Sequence, residues 1–268
     1  MQSTEKPKLA VFKFASCDGC QLSVLDLADD LLALTDRVQI AYFLEASRMT
    51  LDGPYDVALV EGSVTTAHDK QRIKDVRAAS KRLITIGACA TAGGIQALRN
   101  LRDVREMRSI VYARPEYIDT LETSTAIAAN VSVDLELFGC PIDKRQLLGV
   151  LVSLLAGHTP NVASHSVCLD CKMKGNVCVL VAHKTPCLGP VTRTGCGALC
   201  PSFDRGCYGC FGPAPTANFE AMETALRATG AGDATIELLY RTFNTAAPEF
   251  DRAARLVQLR LKNGRSDV

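Results

Sequence analysis

Residues 9–20, LAVFKFASCDGC, join an apolar run to a pair of cysteines. The run at 9–14 has the length and composition of a buried strand, so Cys17 and Cys20 follow the carboxyl end of a strand. Further strand candidates lie at 38–44, 57–61, 83–86 and 131–138, with helical patterns at 21–34, 66–80 and 143–156. This alternation predicts an α/β fold with a parallel, doubly wound sheet.

Two more cysteines follow strands of the same sheet. Cys89 comes after the strand at 83–86, and Cys140 comes after the strand at 131–138. The carboxyl ends of parallel strands share one edge, and ligand crevices form there at a switch in strand order. We therefore expect these two cysteines to converge with Cys17 and Cys20.

The other cysteines crowd into a short segment near the end of the chain: Cys168, Cys171, Cys178, Cys187, Cys196, Cys200, Cys207 and Cys210. Hydrophobic periodicity fades between residues 160 and 215, so this segment must be organised by metal groups rather than by a core of its own. Four thiolates bind one cubane iron–sulfur cluster, so the twelve cysteines of the chain suffice for three. We predict domains at 1–158 and 159–268, the second ending in amphipathic helices near 219–226 and 250–261.

Disulfides and structural zinc are the alternatives to clusters. Disulfides need an oxidising compartment, and no apolar signal segment precedes the strand at 9–14, so we do not expect them. Zinc stays open, because three Cys-x2-Cys pairs, at 17–20, 168–171 and 207–210, have zinc-ribbon spacing. The cysteine-proline junctions at 140–141 and 200–201 favour iron–sulfur clusters instead.

The loops around the first cysteines contain residues suited to an anionic metal group. Free backbone N–H groups near Gln21 and Asp143, where helices are predicted to begin, would stabilise a thiolate-ligated cluster. Pro141 is expected in a first helical turn, where its missing N–H costs little. The glycines beside Cys89 permit close approach of the backbone, although the two that follow it can equally serve ordinary turns.

Charge and hydropathy exclude several classes of protein. With 30 basic and 29 acidic residues among 268, the chain has no electrostatic reason to bind nucleic acid or an anionic membrane. The longest apolar run, at 147–156, is too short to span a bilayer. We therefore expect a cytoplasmic protein without a transmembrane segment.

Several motifs of the first domain together resemble the small subunit of nickel-iron hydrogenases. They are CDGCQLS at 17–23, EGSV at 61–64, GACATAGG at 87–94 and GCP at 139–141. Farther along, PCLGP at 186–190 and GCYGCFGP at 206–213 look most like the cytoplasmic NAD(P)-linked branch, the sulfhydrogenase delta subunits. The resemblance extends over residues 8–215.

The resemblance implies a flavodoxin-like domain with a proximal 4Fe-4S cluster and a smaller, irregular domain with a medial and a distal one. The implied ligands are Cys17, Cys20, Cys89 and Cys140 for the proximal cluster, Cys168, Cys171, Cys178 and Cys187 for the distal cluster, and Cys196, Cys200, Cys207 and Cys210 for the medial cluster. In the family, the first medial ligand follows a Cys-x-Gly-Pro motif at the spacing that separates Cys196 from Cys187.

The resemblance also implies that the nickel-iron centre lies in a separate large subunit. This chain would then have no catalytic residue and would pass electrons to a flavin, NAD(P)-binding or ferredoxin-like partner, with Glu61 and Asp18 left as structural or interface residues. Periplasmic relatives carry a twin-arginine export signal, which is missing here, and use a histidine as a distal ligand. His165 has a similar spacing and is an alternative ligand.

Two other functions stay open. One is the cluster-carrying subunit of a quinone-reductase-type complex, although that family has adjacent tandem cysteines and the sequence at 17–20 lacks them. The other is a zinc-stabilised interaction module without a redox role. Visible absorption from thiolate-to-iron charge transfer separates the zinc module from the other two.

Overall fold

The computed structural model describes residues 5–263. The chain divides into two compact units, Met1–Val162 and Ala163–Val268. The predicted division between residues 158 and 159 lies a few residues earlier, and the outermost residues of both predicted domains, 1–4 and 264–268, lie outside the described residues.

Within residues 5–263, the first unit contains one parallel sheet of five strands. The strands are β1 (Lys8–Lys13), β2 (Gln39–Phe43), β3 (Tyr55–Glu61), β4 (Ser80–Ile86) and β5 (Leu135–Leu137). Their order, β2-β1-β3-β4-β5, is that of the flavodoxin-like doubly wound fold, with the switch in order between β1 and β3. The predicted fold class is confirmed.

Helices cover both faces of this sheet. They are α1 (Gly19–Leu25), α2 (Asp29–Thr35), α3 (Ala67–Ala78), α4 (Gly87–Ala92), α5 (Val104–Val111) and α6 (Lys144–Leu155). Successive residues of β1 point to opposite faces. Leu9 therefore packs in the core under α1, α2 and α6, whereas Phe12 packs in the core that includes Ile73 of α3. Each fully buried side chain of this size contributes about 1.5–3 kcal/mol.

Two predicted elements differ from the structure. The helix predicted at 21–34 is broken into α1 and α2, because the backbone at Ala28 has a φ of 49°, outside the right-handed helical region. The strand predicted at 131–138 is only Leu135–Leu137. The preceding valines, Val131 and Val133, pack against the core from a loop instead.

Pro141 does not lie in a first helical turn, so that prediction is wrong. The bond between Cys140 and Pro141 is cis, and α6 begins only at Lys144. Asp143 is the N-cap, and its carboxylate accepts a hydrogen bond of 2.8 Å from the N–H of Gln146. This cap satisfies an N–H group that the helix itself leaves unpaired.

The second unit combines an irregular cysteine-rich segment with a helical end. Its helices are α7 (Val167–Met173), α8 (Val179–Ala182), α9 (Phe219–Ala228), α10 (Asp233–Tyr240) and α11 (Pro248–Asn263). Phe219, Tyr240 and Phe250 form an aromatic cluster with ring centroids 5.3–6.0 Å apart. The two predicted amphipathic helices are confirmed as α9 and α11, and their apolar stripes are core packing; α10 was not predicted.

Short 3₁₀ helices complete the chain at Ile95–Leu101, Pro115–Tyr117, Ile127–Ala129, Gly189–Val191 and Pro201–Phe203. Among residues 5–263, no helix combines the length and the apolarity needed to cross a bilayer.

Candidate metal centres

Loops at one edge of the sheet bring the first group of cysteines together. Cys17 and Cys20 follow β1, Cys89 lies in α4 directly after β4, and Cys140 follows β5. The thiol of Cys89 is close enough to those of Cys17, Cys20 and Cys140 to interact with them electrostatically. The expected convergence of these residues is therefore seen in the fold.

Burial strongly disfavours free thiolates at this edge. Desolvation raises the pKa of Cys89 to about 11, and it also raises the pKa values of Cys20 and Cys140. The neighbouring thiols raise these pKa values further, because each thiolate repels the next. Such a group of thiols needs a cationic metal centre to become a set of thiolates, so its donor chemistry fits an iron–sulfur cluster.

Two glycines leave room around the sulfur atoms. Gly87 has a φ of 87°, and a Cβ atom there would overlap the Sγ atom of Cys20. Gly94 has a φ of 65°, and its Cβ atom would lie 2.6 Å from the Sγ atom of Cys89. The positive φ angles and the close approach both require glycine. The backbone thus forms a cradle in which side chains are excluded around two of the sulfurs.

We expect Gly87→Ala to lose most of the iron of this first site, about four atoms per chain, because the added methyl group displaces Cys20. Iron analysis and electron paramagnetic resonance of anaerobically purified protein measure the loss. The matched control is Gly149→Ala in α6, where an added Cβ atom meets nothing within 4 Å. The control should retain its iron and be more stable by about 1 kcal/mol at most. Full iron content in Gly87→Ala would contradict this role of the glycine.

Glu61 fixes the loop that carries Cys20. It is the last residue of β3 and is 2% exposed. Its carboxylate accepts hydrogen bonds from the N–H of Cys20, at 3.1 Å, and from the side-chain amide of Gln21, at 2.8 Å. Burial raises the pKa of Glu61, and these hydrogen bonds offset part of that rise. The N–H beside Gln21 is therefore occupied by a carboxylate and is not free for an anion, as we had expected. The Sγ atom of Cys20 instead accepts from the N–H of Ile142.

A buried pair of serines connects β3 to the Cys89 loop. The Ser124 hydroxyl lies 2.9 Å from the Ser63 hydroxyl and 3.1 Å from the carbonyl oxygen of Gly93. Both serines are at most 1% exposed. The run EGS at 61–63 thus holds the Cys20 loop through its glutamate and the Cys89 loop through its serine. Sequence analysis missed this role, although the position of the run at the end of a central strand was a usable signal.

The cysteines of the second unit form groups that follow the chain. Cys168 interacts electrostatically with Cys171, Cys178 and Cys187. The remaining ones pair as Cys196 with Cys200 and Cys207 with Cys210. Burial raises the pKa of Cys168 to about 11 and also raises the pKa values of Cys187, Cys200 and Cys207.

Several donors point at these sulfur atoms. The N–H of Cys207 donates to the Sγ atom of Cys187 at 3.1 Å. Cys187 also accepts from the N–H of Gly189, and the sulfur of Cys207 accepts from Gly209 and from the Thr192 hydroxyl. Hydrogen bonds to the sulfur ligands of a cluster stabilise its reduced, more negative state and so help set its potential.

The spacing of the thiols does not match a single bound ion. A tetrahedral zinc ion with bonds of about 2.3 Å holds its thiolates about 3.8 Å apart, whereas a cubane spreads them over a larger body. Within residues 5–263, no three Cys, His, Asp or Glu side chains are close enough to hold one metal ion. All twelve cysteines are free thiols. The arrangement therefore offers a zinc-ribbon interpretation no support.

His165 is engaged elsewhere. Its Nε2 atom lies 2.8 Å from a carboxylate oxygen of Asp170, whose other oxygen accepts from the Thr194 hydroxyl. The ring thus anchors the loop before α7.

The flavodoxin-like sheet with cysteines along its carboxyl edge defines a cluster-carrying subunit of an oxidoreductase. Residues 17–154, which include Cys17, Cys20, Cys89 and Cys140, match the family described as NADH ubiquinone oxidoreductase, 20 kDa subunit. The match covers half of the chain, and the chain belongs to this family.

Individual relatives narrow the assignment. The delta subunit of sulfhydrogenase 2 from Pyrococcus furiosus is 38% identical over 82% of this chain and 92% of its own length. A vhu subunit of the F420-non-reducing hydrogenase from Methanocaldococcus jannaschii is 32% identical over 86% and 90%, respectively. A crystal structure of an NAD+-reducing nickel-iron hydrogenase in the H2-reduced state contains a chain that is 29% identical, with a TM-score of 0.55 over 59% of this chain and 96% of that one.

Within the family, the chain is thus a hydrogenase small subunit with an iron–sulfur electron-transfer role. The predicted resemblance is confirmed. The quinone-reductase alternative belongs to the same family, but the relatives that also extend over the cysteine-rich segment are hydrogenase subunits.

Proposed function

We propose that this chain is the electron-transfer small subunit of a cytoplasmic nickel-iron hydrogenase. It would relay electrons between an H2-activating large subunit and an NAD(P)-linked flavin subunit or a ferredoxin-type partner. The observation that carries the proposal is the convergence of Cys17, Cys20, Cys89 and Cys140 from three separate loops at the sheet edge, followed in the chain by eight further cysteines.

The proposal includes three 4Fe-4S clusters, each of which, when bound, accepts and releases one electron. We assign Cys17, Cys20, Cys89 and Cys140 to the proximal cluster, Cys168, Cys171, Cys178 and Cys187 to the distal cluster, and Cys196, Cys200, Cys207 and Cys210 to the medial cluster. The electrostatic grouping of Cys168 with Cys171, Cys178 and Cys187 supports this partition. So do the pairs formed by Cys196 with Cys200 and by Cys207 with Cys210.

The residues of this chain would bind and tune the clusters. Glu61 and Ile142 fix the loop and the sulfur of Cys20, and the Ser63–Ser124 pair fixes the loop of Cys89. Burial keeps water from the proximal thiolates and lowers the local dielectric constant, which strengthens each N–H to sulfur bond. No acid–base step is assigned to this chain.

An exposed apolar stretch supports a large partner beside the proximal site. It begins at Ile95, directly after the glycine that touches Cys89, and Ile95 is 57% exposed. In α5, Ile110 and Val111 are exposed, whereas Val104 is buried. Exposed apolar residues concentrated in this way are typical of protein interfaces. We assign this stretch to contact with the large subunit.

The proposal is tested by isolating the chain anaerobically from its native source with whatever subunits remain bound to it. The expected complex contains a nickel-bearing large subunit and reduces an electron acceptor with H2. NADP, NAD, polysulfide, coenzyme F420 and ferredoxin are assayed separately, since the acceptor depends on the partner. A complex that contains no nickel and reduces quinone with NADH would overturn the proposal in favour of the quinone-reductase type.

A further inference from the structure

An exposed apolar patch surrounds one cysteine of the second unit. Cys178 is exposed and lies between α7 and α8. Met173, Val177 and Val181, on these helices and the loop joining them, are 78%, 58% and 77% exposed. We call these residues together with Cys178 the exit patch. Through Cys178 the patch is continuous with Cys168 and Cys187, the thiols with which Cys178 interacts electrostatically.

The rim of the exit patch is cationic. Lys172, Lys174 and Lys184 are all exposed, and none of them forms an ion pair within residues 5–263. Lys172 acts electrostatically on the thiol of Cys168. The ammonium group of Lys174 lies over Gly197, 3.5 Å from where a Cβ atom would be, and thus beside Cys196. The cations therefore flank both groups of cysteines in this segment.

No carboxylate balances these charges locally. Between residues 163 and 203 the only acidic side chain is Asp170, against three lysines and Arg193. Asp170 is already engaged by His165 and Thr194. The chain as a whole has a net charge of only +1, so positive charge is concentrated around the exit patch.

We propose that the exit patch docks a redox protein of ferredoxin type that presents an acidic face around its own cluster. This inference rests on the proposed function, because it assigns the surface through which electrons leave or enter the distal site. An apolar centre with a charged rim is typical of transient interfaces. Fixed lysines around it steer an anionic partner towards Cys178 and repel a cationic one, which sets both the association rate and the choice of partner.

The test uses the native complex and, as probe, a purified acidic ferredoxin with two 4Fe-4S clusters. The variant is Lys172→Glu/Lys174→Glu/Lys184→Glu. We expect its dissociation constant for the ferredoxin to rise about tenfold or more at low salt, with the salt dependence of association reduced or reversed. The rate of H2-dependent ferredoxin reduction, divided by the rate with benzyl viologen, should fall in parallel. Cationic cytochrome c should bind the variant better than the wild type.

Matched controls separate charge at this site from charge in general. Arg48→Glu/Lys70→Glu/Lys74→Glu makes the same change in net charge on exposed positions of the first unit and should keep the wild-type affinity. Lys172→Arg/Lys174→Arg/Lys184→Arg keeps the charges and should also bind normally. Val177→Ser/Val181→Ser should weaken binding without changing the salt dependence. Iron content is measured for every variant.

Equal weakening by both charge-reversal variants, or wild-type binding that does not depend on salt, would overturn the docking inference. Unchanged affinity of the Lys172, Lys174 and Lys184 variant with normal iron would also overturn it, while leaving the proposed function intact. A wild-type complex without iron or without H2-dependent viologen reduction would instead overturn the proposed function. The binding measurement therefore distinguishes the two failures.

Discussion

Cys89→Ser is expected to abolish H2-dependent reduction of every acceptor, including small dyes. Cys89 is a half-buried residue at the centre of the proximal group, and its thiol interacts with those of Cys17 and Cys140. Its loss removes one of four ligands from the cluster through which, in the proposed function, all electrons enter the relay. Activity assays with viologen and with protein acceptors, together with iron analysis, measure the effect. Cys17→Ser should behave in the same way.

The matched comparison is Cys168→Ser, which alters the other end of the proposed relay. That variant should lose reduction of protein partners but retain part of its activity with small dyes, since a dye can reach inner clusters. Equal loss of dye reduction in Cys89→Ser and Cys168→Ser would contradict the proposed order of the clusters.

Cys200→Pro is expected to convert the medial cluster from four irons to three. Cys200 pairs electrostatically with Cys196, and its replacement removes one ligand and one negative charge while Cys196, Cys207 and Cys210 stay in place. Because ligand identity and net charge set cluster potential, the medial potential should rise. A paramagnetic signal in the oxidised state should appear, and proton reduction should weaken more than H2 oxidation.

Mössbauer spectroscopy of the Cys200→Pro variant decides the ligand assignment. Three intact four-iron clusters would mean that Cys200 is not a ligand. His165 would then have to be reconsidered, even though Asp170 now holds its ring. Cys200→Ala serves as control, because it removes the thiol without the constraint of a proline ring.

The convergence of the first four cysteines could be predicted because it follows from topology alone. Cys17, Cys89 and Cys140 each follow a strand, and parallel strands end at one edge. The position of Glu61 could not be read in the same way. Its partner Cys20 lies far from it in sequence, so their hydrogen bond depends on β1 and β3 being neighbours in the sheet.

The break between α1 and α2 escaped prediction for a different reason. Leu27 and Leu34 lie on either side of Ala28, and both face the same core. A continuous helix and two helices joined at Ala28 therefore give nearly the same pattern of apolar residues. The backbone angle at Ala28, not the spacing of the leucines, distinguishes the two.

In the second unit, spacing alone does not decide which thiols share a cluster. Cys187 illustrates the difficulty, because it interacts with Cys171 and Cys178 and also accepts a hydrogen bond from the N–H of Cys207. In a segment organised by its metal groups, the chain path depends on the clusters themselves.

The most direct test of the account is the metal content of the anaerobically purified chain, or of its complex after the metal of the partner subunits is subtracted. Twelve cysteines grouped as three sets predict about twelve irons per chain, with the brown colour of thiolate-to-iron charge transfer. Two or three zinc ions per chain with negligible iron would contradict the account, because zinc cannot carry electrons.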